Sequence, residues 1–152
     1  MMILWLILAL ARAPIENQGP VTVPAPFSEL SRLDQQAWKE EVRQINSALA
    51  FLNEAERDST LVENPVLFVV PGKTILMSEI QELAWKQTTR KLTEVFGTAF
   101  DAARSTSIKE GTAKVSVPSM IGEMSLFEQR IWQQQCAKIN RALDAFYERV
   151  RQ

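Results

Sequence analysis

Ser31 to Leu52 reads SRLDQQAWKEEVRQINSALAFL, and the chain writes this pattern three times at a step of 47 residues. The step carries Trp38 onto Trp85 and Trp132, and Ser31 onto Ser78 and Ser125. It also carries Pro24 onto Pro71 and Pro118, and Val23 onto Val70 and Val117. INSAL after Trp38 returns as INRAL after Trp132, and more loosely as LTEVF after Trp85. Four matched columns without a gap read as an internal repeat. Its units fall at about residues 14–60, 61–107 and 108–152 of a single domain spanning 14–152.

Each unit predicts a long helix. Ser31, Ser78 and Ser125 are followed three residues later by Asp34, Gln81 and Glu128, the pattern of a capping box or close to it. A serine hydroxyl there accepts from an N–H that the first turn leaves unpaired, so the serines need no catalytic explanation. Leu30, Met77 and Met124 precede the caps, but Gln35, Glu82 and Gln129 stand where a hydrophobic staple wants an apolar partner. From the cap, apolar residues recur every four and three positions: Trp38, Val42, Ile45, Leu49 and Leu52 in the first unit. The second runs Trp85, Thr89, Leu92, Phe96, Ala99, and the third Trp132, Cys136, Ile139, Leu143, Phe146, Val150. These are coiled-coil-like heptad seams on helices of roughly 26 residues, ~39 Å long at 1.5 Å per residue. Lys39, Glu40, Arg43, Glu54 and Arg57 fall outside the seam.

About 20 residues join one helix to the next, too many for antiparallel neighbours, and about 12 extended residues suffice to return along ~39 Å. The helices are therefore expected to lie parallel, with the three tryptophans at one level. Before each helix, Val21/Val23, Phe68/Val70 and Val115/Val117 alternate and end at a proline, which reads as a short strand with one apolar face. The fold expected is α/β and predominantly helical: three tandem 47-residue strand–helix units with short parallel strands and right-handed crossovers.

Residues 1–13 form a separate apolar segment, unbroken from Ile3 to Ala11. Ala9-Leu10-Ala11 offers a small-x-small cleavage site, as in a secretory signal peptide, yet no Lys or Arg precedes the run. In the repeat frame the same residues align with the end of a helix, so a retained packed helix and a shallow membrane anchor are the competing readings. The run is about half of the ~20 residues a transmembrane helix needs. Residues 1–11, read as a signal peptide, place the protein outside the cytoplasm, in the periplasm or secreted. Otherwise the protein is part of a larger assembly, with residues 1–13, if retained, as its one expected membrane contact.

The chain carries no histidine and a net charge of -1. That excludes His-based acid–base and Ser-His-Asp chemistry and most zinc and iron sites, and it argues against a nucleic-acid partner. The lone Cys136 occupies a seam position and reads as a buried, inert thiol. Pro71-Gly72-Lys73-Thr74 evokes a phosphate loop, but the first glycine of that motif would fall on Leu67 and the helix starts too late. The tryptophans read as core, since each opens a seam, although a ligand-stacking role competes. Asn46, Thr93 and Asn140 share one column at the seam's edge, either as ordinary boundary residues or as a ring facing a ligand. Phe51, on the polar side, is a candidate partner contact.

From Pro24 onward the units carry charges of -4, +2 and +1, an acidic front and a mildly basic rear. The reading that follows is a non-catalytic structural or assembly protein acting through helix packing and protein–protein contacts, self-association included. No cofactor or metal is expected. The alternatives are an exported ligand- or partner-binding module using Asn46, Thr93, Asn140 and Phe51, and an enzyme without histidine.

Overall fold

Each helix begins where the sequence supplies a cap. In the computed structural model, which describes residues 19–57, 68–104 and 114–151, α1 runs Arg32–Arg57, α2 Glu79–Arg104 and α3 Leu126–Arg151. The Ser31, Ser78 and Ser125 hydroxyls accept from the N–H groups of Asp34, Gln81 and Glu128 at 3.1, 3.3 and 3.1 Å. The polar residue four positions into each helix also has a function. Gln35 and Gln129 reach back and donate to the carbonyls of Leu30 and Met124 at 2.9 and 3.0 Å. Glu82 instead pairs with Lys86 at 3.0 Å. An apolar staple would lose these bonds.

The three helices are parallel. The indole rings of Trp38, Trp85 and Trp132 meet pairwise with centroids 4.6, 4.8 and 4.9 Å apart, which is possible only if the helix N-termini share one level. At the far end Arg149 of α3 reaches Glu56 of α1 at 3.9 Å. The seams build the core in two layers. The tryptophans, with Ala37, Ala84 and Ile131, fill the N-terminal end, or head. Val42, Ile45, Leu49, Leu52, Leu92, Phe96, Ile139, Leu143 and Phe146 fill the rest. A single-turn 3-10 helix, at Phe27–Glu29, Thr74–Leu76 or Ile121–Glu123, precedes each cap.

The expected strands are absent. The described residues form an all-helical three-helix bundle with no strand or sheet, which overturns the α/β reading. The alternating segments are extended, but each lies in a groove between two helices as a strap. Strap 1 is residues 19–26, strap 2 residues 68–73 and strap 3 residues 114–120. Val21, Phe68 and Val115 drop into the core, at 0, 5 and 2% exposure, so the alternation did mark an apolar face. Pairing into a ladder needs neighbours about 4.8 Å apart, and here a helix stands between successive straps. Their backbone groups bond to helix side chains instead. The readings placed on residues 1–13 lie outside the described residues. No described helix is long and apolar enough to cross a membrane.

Candidate functional site

Helix side chains hold the straps at sites that recur with the 47-residue step. Asn46 accepts from the Val21 N–H at 3.0 Å and donates to the Val21 carbonyl at 2.8 Å. Asn140 makes the same pair with Val115, at 2.8 and 2.9 Å. A planar amide satisfies both backbone groups of one extended residue, as a neighbouring strand would. Gly19 passes this clamp at a φ of +111°, where a Cβ would come within 2.5 Å of Asn46 Cγ, so glycine is required there. In α2 the column holds Thr93, whose shorter side chain turns back and donates to the Thr89 carbonyl at 3.0 Å.

A second column clamps each strap from the preceding helix around the bundle. Glu40 of α1 accepts from Gly72 N–H at 3.1 Å, and Gln87 of α2 from Ser119 N–H at 2.8 Å. Gln134 of α3 accepts from Ala25 N–H and donates to the Ala25 carbonyl, both at 2.9 Å, which closes the ring. Gln44 adds a bidentate pair to Val69, at 3.0 Å from its N–H and 3.1 Å to its carbonyl. Lys138, two steps of the repeat on, donates to the Thr22 and Val23 carbonyls at 3.3 and 3.0 Å. Burial, and next the neighbouring Arg141, lower its pKa. Gly72 N–H is thus already bound to a carboxylate, which opposes a phosphate at this turn.

The sequence-derived candidates therefore do not converge. Asn46 and Asn140 serve different straps, Thr93 serves its own helix, and Phe51 is half-buried, stacked on Phe100 at 5.6 Å. What sequence reasoning passed over is the column three residues after each tryptophan: Glu41, Thr88 and Gln135, at 1, 5 and 1% exposure. Gln135 donates to the Thr22 carbonyl at 3.1 Å. Neither carboxyl oxygen of Glu41 has a hydrogen-bond partner. Burial, with a smaller contribution from Glu40, raises its pKa to about 8. The signal was available as one acidic residue in an otherwise uncharged column.

Two further features occupy the head. A cavity of about 220 Å³ opens there between α1 and α3, floored by the three tryptophans and edged by Leu30, Phe127, Asp34 and Glu128. Gln81 donates to Glu128 at 3.2 Å across its rim. Phe127 on the cavity's edge is 38% exposed, and Ile75, Leu76 and Leu126, in the segments that open α2 and α3, are 76, 66 and 71% exposed. The first unit has Ser28, Glu29, Arg32 and Leu33 at these positions, so the exposed apolar set belongs to the second and third units. Comparisons with protein-family models, curated proteins and solved structures gave no match.

Proposed function

We propose that this is a non-catalytic assembly protein whose copies join head to tail along the bundle axis. The observation that carries the reading is the exposure of Ile75, Leu76, Leu126 and Phe127 in the segments that open α2 and α3, at the end of the bundle that holds the tryptophan-floored cavity. Such exposure opposes solubility unless a partner covers it. Charge supports a second copy as that partner. The head carries Glu29, Asp34, Glu79, Glu82 and Glu128 against Arg32, whereas in the last turns Arg57, Arg104, Arg149 and Arg151 offset Glu54, Glu56, Asp101 and Glu148. An acidic, apolar head meeting a charge-balanced tail whose three helices each end in arginine is a heterologous contact, which propagates rather than closes. Charge complementarity of this kind sets orientation and encounter rate, and salt screens it.

Size-exclusion chromatography with light scattering tests the reading. The mass is expected to rise with protein concentration and fall in high salt. Ile75→Asp combined with Leu126→Asp should leave the helical circular dichroism intact and give a monomer. A single monomeric mass for the unaltered protein at every concentration would overturn it.

A further inference from the structure

We propose that residues 68–73 form a pH-released strap, lifting from α1 when Glu41 gives up its proton. Three observations converge on this one groove. Glu40 and Gln44 of α1 both bind strap 2, at Gly72 and Val69, and Glu41 lies between them in sequence, further round the helix toward the core. Its counterpart Gln135 donates to the carbonyl of Thr22, and the residue of strap 2 that corresponds to Thr22 is Val69. A protonated Glu41 has the donor that Gln135 uses. An ionised one has only acceptors, is buried, and stands next to Glu40 in sequence. Strap 2 also lacks the amide that clamps Val21 and Val115, since Thr93 stands in its place and bonds its own helix.

Among the described residues no cation lowers the pKa of Glu41. Glu40 is the charged group that acts on Glu41, and it raises the pKa further. The ionisable side chain of strap 2 is Lys73, which is exposed. On α2, Glu82 and Lys86 pair with each other at the surface. α3 packs on α1 through its seam, where the Cys136 thiol is kept neutral by burial. Lifting the strap admits water to the carboxylate. With a closed-state pKa of about 8 against an ordinary 4.5, the opening constant climbs by up to about tenfold per pH unit between those values. Above them it is level.

Amide hydrogen exchange on the full chain decides the matter, comparing unaltered protein with Glu41→Gln at the same pH so that intrinsic rates cancel. The probes are the amides of Val69 and Gly72. The references are the amides that helix side chains clamp in the other straps, Val21, Ala25, Val115 and Ser119. At pH 5 the two proteins are expected to exchange alike. At pH 8 the Val69 and Gly72 amides should exchange more than tenfold faster in the unaltered protein, with the four references equal in both. Thr93→Asn, which supplies the missing clamp, should slow the same two amides at pH 8. Equal exchange of Val69 and Gly72 in the two proteins at pH 8, or equal acceleration of all six amides, would overturn the proposal. If Glu41→Gln does not fold, the unaltered protein decides through the pH slope of Val69 and Gly72 against the references, and parallel slopes refute it.

Discussion

Replacing Asn140 with alanine tests the central physical claim of the fold, that side-chain amides do for the straps what a neighbouring strand does in a sheet. Asn140 makes two bonds to one residue, at 2.8 and 2.9 Å, and Val115 is 2% exposed. The substitution removes both bonds and leaves a donor and an acceptor to find water. An orphaned buried polar group costs about 1–3 kcal/mol. The site is part-buried, so water recovers some of that loss for each group, and a total of about 2–4 kcal/mol is expected. For a chain of this size, that lowers the melting temperature by about 4–16 °C, at roughly 2–4 °C per kcal/mol. Urea unfolding followed by far-ultraviolet circular dichroism measures the change at constant m-value. Asn140→Asp separates the bonds, because a carboxylate still accepts from Val115 N–H but sets a second oxygen against the Val115 carbonyl in place of a donor. At a pH where the aspartate is ionised its loss should be at least that of alanine. A cost below about 0.5 kcal/mol for Asn140→Ala, the range of an ordinary surface change, would refute the clamp.

Two further outcomes follow from buried ionisable groups. The folded pKa of Glu41 lies above its unfolded value, so its favourable contribution is complete below pH 4.5, falls as pH rises, and levels off above about 8. The slope is about 1.4 kcal/mol per pH unit, or about 3 kcal/mol by pH 7, and Glu41→Gln should remove it, giving a more stable protein at pH 8 whose unfolding free energy no longer falls through this window. Burial raises the Cys136 thiol to about 11, so a thiol reagent should label it slowly in the native protein and promptly in urea; prompt native labelling would mean that the seam of α3 is open.

Helix direction, length and capping were legible because each rests on local chemistry. Ser31, Ser78 and Ser125 sit where an unpaired N–H needs an acceptor. The tryptophans open seams whose period matches a helix, and the long links leave room for a parallel return. The strands were misread because Val21-Thr22-Val23 specifies an extended backbone and a buried face but not the identity of its hydrogen-bond partner. That information lay elsewhere, in Asn46, Asn140, Gln87 and Gln134, whose amides looked like ordinary boundary residues on a helical wheel. Glu41 was hidden for a related reason. Beside Glu40 it looks like half of a solvated pair, yet successive helical residues point about 100° apart, so one faces the strap's edge and the other the interior.

Parallel packing has a cost that this chain offsets with charge, and that offset connects the fold to the proposed assembly. Three aligned helices place three partial positive charges at the head and three partial negative ones at the tail, each about half an elementary charge. Asp34, Glu79, Glu82 and Glu128 stand in the first turns, and Arg57, Arg104, Arg149 and Arg151 in the last. Each is worth about 0.3–1 kcal/mol against the dipole it faces. Side-chain charges lie further out than the peptide dipoles they oppose, so an approaching molecule meets them first. A second copy arriving tail-first thus brings arginines to carboxylates, whereas a head-first approach brings carboxylates together. The distribution that lets the helices run parallel therefore also favours the proposed orientation of contact, and Ile75, Leu76, Leu126 and Phe127 are exposed at the head, the end that contact would cover.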